Sequence, residues 1–124
     1  MKAMIKKGDE TTEYFFEEGC FIVEMSNTAD DPAVSIARAR VEAGSATRWH
    51  RLTGIGERYV ILTGTGTVEI GEEVSRNVSP GDVVIIPPGR PQRIINEGLT
   101  DLTFLAICTP RFTKDAYVDM GDLR

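Results

Sequence analysis

The apolar residues of this chain recur at every second position, and that spacing excludes most of the folds otherwise open to it. Segments rich in Val, Ile, Phe and Tyr run from Tyr14–Phe16, Cys20–Met25, Ala33–Ala43, Arg58–Thr63, Gly66–Ile70, Asp82–Pro87, Gln92–Asn96 and Leu102–Ile107. A period of two is the repeat of a β-strand, not of a helix. Between the segments stand "EEG", "NTADDP", "EAGS", "TGTG", "SPGD", "PPGRP" and "NEGLTD", the Gly, Pro, Asn and Asp clusters that make turns. Many short strands with regular turns predict an all-β sandwich or barrel. Only "RFTKDAYVDM" (Arg111–Met120) reads as a short helical turn, with Thr113 as its cap. There is no repeat, linker or low-complexity segment, so residues 1–124 are expected to form a single domain.

Several strands carry apolar residues on both faces. Val60 and Leu62 alternate with Tyr59 and Ile61, and Val84 and Ile86 with Val83 and Ile85. A small barrel has only one inside, so Val60, Leu62, Val84 and Ile86 are expected to face a second copy in a homodimer. "TGTG" contains Gly64 and Gly66 but no third glycine at dinucleotide spacing and no following helix. It is expected to be a hairpin turn, not a phosphate cradle.

The chain is 41% hydrophobic and 27% charged, a balance expected of a soluble globular protein. The formal net charge of −5 and the scattered arginines argue against a nucleic-acid partner. No apolar run is long enough to span a membrane, and the N-terminal "MKAMIKKGDETTEY" lacks the apolar core of a signal peptide. A cytoplasmic location is therefore expected. Cys20 and Cys108 are far apart and have no CxxC spacing, so reduced thiols are expected. Cys108 follows "LTFLAI" and reads as a core or pocket-rim thiol, with a nucleophilic role as the alternative.

Two segments then line up. From Gly44 come five residues, His50, one residue, Leu52, four residues, Glu57, six residues and Gly64. From Gly81 come five residues, Pro87, one residue, Gly89, two residues, Gln92, three residues and Asn96. This pair, at 44–64 and 81–96, resembles the two motifs of the cupin superfamily, G(x)5HxH(x)3–4E(x)6G and G(x)5PxG(x)2H(x)3N. The resemblance implies a double-stranded β-helix, or jelly-roll, cupin barrel that is usually a dimer. It also implies a site. In metal-binding cupins three histidines and a glutamate converge on one ion. Position by position these map to His50, Leu52, Glu57 and Gln92. Leu52 cannot coordinate, and Gln92 offers only a neutral amide oxygen.

Strand parity brings the same residues together. His50 and Leu52 share one face, as do Glu57, Tyr59 and Ile61, and Gln92, Ile94 and Asn96. Pointed inward, they give an apolar pocket with a few polar groups, suited to a small molecule. Three readings stay open. His50, Glu57 and Gln92 hold a divalent ion (Zn, Fe, Mn or Ni). Or His50 and Glu57 are a metal-free pair that recognises a ligand or acts as catalytic acid and base. Or they form a satisfied core network. Tyr59 and Gln92 are expected to line the pocket. Arg38 and Arg40 share a strand face; either they reach solvent, or Arg40 clamps a ligand carboxylate. The function expected is a small-molecule-binding cupin, either a metal-assisted dioxygenase, isomerase or lyase, or a non-catalytic binding or sensor module.

Overall fold

The computed structural model describes residues 1–121. Eleven strands run in chain order as β1 (Tyr14–Phe16), β2 (Cys20–Ser26), β3 (Ser35–Val41), β4 (Trp49–Leu52), β5 (Gly56–Thr63), β6 (Gly66–Ile70), β7 (Val74–Val78), β8 (Val83–Ile86), β9 (Gln92–Ile95), β10 (Leu102–Thr109) and β11 (Tyr117–Gly121). They form two antiparallel sheets. One has the order β1-β2-β3-β10-β5-β8, the other β11-β4-β9-β6-β7. This is the two-sheet all-β architecture that the alternation predicts and the jelly roll that the cupin resemblance implies. Among the described residues no helix is long and apolar enough to cross a membrane.

Alternation decides what each strand buries. Tyr59 and Ile61 of β5, Ile86 of β8, Ile94 of β9 and Phe104 of β10 meet between the sheets in one core. Burial of each such side chain is worth about 1.5–3 kcal/mol. A smaller cluster, Leu52, Ile55, Cys108 and Ala116, closes one end of the barrel. Gly64 carries the chain from one sheet to the other at φ +78°, packed so close to Asp101 that a Cβ would strike its backbone.

Several expectations are corrected. Two strands were not anticipated, β7 and β11, and β4 was implied by the shared face of His50 and Leu52 without being delimited. β4 carries Arg51 outward between buried neighbours, and β7 buries only Val78, so neither shows a clean apolar alternation. Their partners β9 and β6 hold them in place. In Arg111–Met120 only Lys114–Ala116 is helical, a single 3-10 turn, and Thr113 precedes it without a side-chain capping bond. The remainder becomes β11 because its backbone pairs with β4, Tyr117 against Leu52 and Asp119 against His50. Gly64–Gly66 is not a hairpin turn, since β5 and β6 lie in different sheets. Val84 and Ile86 face the core, and it is Val83 and Ile85 that are exposed. The run of four apolar residues left the parity undecided; pairing of β8 with β5, Val84 opposite inward Tyr59, settles it.

Candidate functional site

His50 on β4 and Gln92 on β9 face each other across the five-stranded sheet. Glu57 and Tyr59 come from β5 in the opposite sheet, with Cys108 on β10 paired beside Glu57. His50 and Gln92 are each 1% exposed, Tyr59 2% and Glu57 8%. The structure therefore buries all four sequence-predicted residues between the sheets.

Hydrogen bonds link them in two sets. The Tyr59 hydroxyl donates a short bond to Gln92 Oε1. The Cys108 thiol points at Glu57 Oε2 across 3.7 Å. Among the described residues Glu57 Oε1 is buried without a well-formed hydrogen bond. Burial pushes the Glu57 carboxyl up to about 7; the nearby Glu18 carboxylate adds to this, while the His50 cation and the Gln92 amide pull against it. Burial also pushes the Cys108 thiol up, with Glu57 adding to it, so Cys108 stands as a protonated thiol on the cavity wall. It fits the pocket-rim role, not that of an activated nucleophile.

The second set centres on a residue the sequence reading passed over as turn chemistry. Glu18 lies in the bend between β1 and β2, and its Oε1 is 2.9 Å from His50 Nε2. Gly19, at φ +103°, turns the chain there, with its N–H bonded to Phe16 O at 2.9 Å. The Arg48 N–H reaches Glu18 O at 2.7 Å, and the Cys20 thiol donates to Glu18 Oε2 at 3.2 Å. Burial alone would lower the His50 pKa, but the Glu18 charge and hydrogen bond raise it to about 9. Burial would likewise raise Glu18, and the His50 cation holds it below the usual range. His50 Nδ1–H bonds to Arg48 O at 2.7 Å, so both ring nitrogens of the imidazolium donate. Its ring stacks on Tyr117, with centroids 5.3 Å apart.

The residues that the motif offers to an ion lie together, but their donors do not meet at one point. His50 Nε2 is engaged by Glu18 and Nδ1 by the Arg48 carbonyl, the Gln92 oxygen accepts from Tyr59, and Leu52 is packed against Ile55, Cys108 and Ala116. Coordination needs a bare ring nitrogen and free oxygen lone pairs. Of these atoms only Glu57 Oε1 is without a hydrogen bond among the described residues. Among the described residues no three His, Cys, Asp or Glu side chains are arranged to hold a metal ion. As folded, the donor set does not fit one.

A cavity of about 70 Å³ lies beside these groups, under β1, β2 and β3. Glu57, Tyr59, Phe104 and Cys108 form its depth, Glu18, Phe16 and Phe112 its side, and the exposed Tyr14 and Glu24 its mouth. One water needs about 10–15 Å³ on this measure, so the space takes about five waters or a ligand of similar size. Arg40 does not reach it. Ser35, Ile36, Ala37 and Ala39 of β3 line the cavity, whereas Arg38 and Arg40 do not. The Arg40 guanidinium bonds Glu13 at 2.7 Å and Asp101 at 3.2 Å, 4.3 Å above the Phe21 ring. Arg38 also lies outside, bonded to Glu10 at 2.8 Å. The expectation that Arg40 binds ligand is thus corrected.

Comparison with known proteins agrees with this architecture. The cupin domain family model (Cupin_2) matches residues 37–108. An uncharacterised protein of Methanocaldococcus jannaschii is 31% identical over 117 residues, 93% of this chain and 93% of that one. An oxalate-binding protein of Thermotoga maritima is 38% identical over 91 residues, 68% of this chain and 74% of that one. The solved structure of KdgF from Halomonas sp. superposes with a TM-score of 0.76 at 19% identity, covering 88% of this chain and 96% of that one. With both motif spacings set on two facing antiparallel sheets and the family model matched over more than half its length, the chain belongs to the cupin domain family.

Proposed function

We propose that this chain binds one small organic molecule in the cavity between its sheets and that Glu57 exchanges a proton with it, without a resident metal ion. The observation that carries this reading is Glu57 itself. It is a buried carboxyl on the cavity wall, held at about 7, with one oxygen that no protein group satisfies. A group poised near neutrality can take a proton in one step and return it in the next. The Cys108 thiol faces Oε2, leaving Oε1 as the oxygen that meets the ligand. The His50 cation and the Gln92 amide, whose oxygen is held by the Tyr59 hydroxyl, both favour the ionised carboxyl. The reaction class supported is proton transfer at a small substrate, as in isomerisation or elimination. A divalent ion at the motif positions would have to displace Glu18 and a proton from His50. The reading includes a homodimer, since Leu62, Val83 and Ile85 leave apolar side chains exposed on one outer face.

A second reading, binding without chemistry, keeps the same cavity and is favoured by the relative named for oxalate binding. Native mass spectrometry with elemental analysis of untagged protein, followed by incubation of the released molecule with protein in deuterated water, separates the readings. Proton transfer requires a bound organic species, less than stoichiometric metal, and deuterium uptake that Glu57→Gln abolishes. Binding without deuterium uptake would support the second reading, and a stoichiometric divalent ion would overturn the metal-free form of the first.

A further inference from the structure

We infer that the molecule this cavity accepts is a small organic cation, an alkyl or aryl ammonium, and not a dicarboxylate. The inference rests on the cavity being the ligand site, as proposed above. Among the described residues its lining carries three carboxylates, Glu18, Glu24 and Glu57, and no Lys, Arg or His side chain. The basic groups nearby are engaged elsewhere. Arg38 and Arg40 point outward to Glu10, Glu13 and Asp101, and the His50 cation lies behind the wall with Nε2 held by Glu18. Since Glu18 and His50 cancel one another, the uncompensated charge facing the cavity comes from Glu57 in depth and Glu24 at the mouth.

Glu57 is also an independent sign of a ligand. Its side chain is more than nine-tenths buried at 8% exposure, and Oε1 lacks a hydrogen-bond partner. A buried acceptor left unsatisfied is costly, and a carboxylate more so than a neutral group. An ammonium brings three N–H donors and a positive charge to that oxygen. The walls suit the rest of such a molecule. Tyr14, Phe16 and Phe112 give aromatic surface between the mouth and Glu57, and aromatic rings attract cations as well as alkyl groups. Oxalate, by contrast, would place two negative charges beside Glu57 with no basic side chain to meet them.

Three probes of equal size and different charge test this: butylammonium, 1-butanol and butyrate, with oxalate as a fourth. Each is titrated into the full-length protein at fixed salt and about pH 8, where a carboxyl of this kind is mostly ionised. Chemical shifts of the Phe16 and Phe112 rings report occupancy. The expected result is that butylammonium binds at least about tenfold more tightly than 1-butanol, the effect of one charge-assisted bond. Butyrate and oxalate should bind more weakly than the alcohol. Glu57→Gln should bring the ammonium and alcohol affinities together while leaving the circular dichroism spectrum unchanged; if that variant does not fold, the ranking on the wild type decides. Equal binding of ammonium and alcohol would overturn the charge inference and leave the small-molecule cavity standing. Tightest binding by butyrate or oxalate would overturn it in favour of an anion site. If no probe moves those ring resonances, both the inference and the cavity reading fall.

Discussion

At the scale of single residues, Glu18 decides what His50 is. Without that carboxylate, burial would pull the imidazole pKa down, opposed only by the Arg48 carbonyl and the Glu57 charge. His50 is the only histidine in the chain, so its titration can be read from one pair of ring resonances. In wild type these should titrate near 9; in Glu18→Gln they should titrate below 6.5. The same variant should lose about 3 kcal/mol in urea unfolding, the low end for breaking a buried pair, because the histidine can shed its proton. A midpoint unmoved in the variant would show that Glu18 does not set the charge of His50. A second expectation concerns the motif positions that lack imidazoles. Wild type should bind Ni weakly by calorimetric titration, and Leu52→His with Gln92→His should bind it at least about tenfold more tightly if the side chains can converge. His50, Glu57 and Gln92 were legible because glycine-bracketed spacing and strand parity both point them inward. Glu18 was not, because it reaches His50 across a bend and between sheets, and its local context "EEG" carries only turn information.

Among the elements, β8 is the one whose surroundings ask for a partner. It is a four-residue edge strand of the six-stranded sheet, with Val83 57% and Ile85 65% exposed. Next to it β5 exposes Leu62, so the apolar face continues across two strands. An apolar edge of this kind is a template for association unless it is covered. Ile85→Lys should raise the dissociation constant of a homodimer by at least about tenfold, as burying an unpaired charge at an interface does. Sedimentation velocity over a range of concentrations checks it, and identical profiles for the two proteins would place the interface elsewhere. Strands that alternate strongly, such as β6 and β10, were read from sequence to within two residues at each end. β7 and β11 were missed, and β4 was left without bounds, because they are strands by pairing, not by composition: polar or short, they take their form from the neighbour across the ladder.

For the molecule as a whole, the two perturbed groups of the site slope stability in the same direction. His50 is raised from 6.5 to about 9, so its contribution is complete below 6.5 and is lost as pH rises through about 9. Glu57 is raised from 4.5 to about 7, so the folded state keeps a proton that the unfolded chain releases, and stability declines as pH rises between those values. The lowered Glu18 carboxyl is the other half of the His50 pair and opposes this trend only in acid, where stability falls as it protonates. Unfolding free energy from urea titrations should therefore decrease from about pH 5 to about pH 9, by on the order of a few kcal/mol in all. A flat profile over that range would show that neither group is perturbed in the folded protein. The Glu18–His50 pair also fastens the chain beside the cavity. β1 is only three residues long, lies at the edge of its sheet and pairs with β2 alone, and its Tyr14 and Phe16 form one jamb of the cavity. The bend after it is fastened to the opposite sheet through Glu18. Unfastening that bend should let β1 swing while the frame stays shut, so deuterium uptake at Tyr14–Phe16 should quicken in Glu18→Gln with β5 and β10 unchanged. Access to the cavity past β1 would then depend on one ion pair, with His50 as the anchor on the opposite sheet.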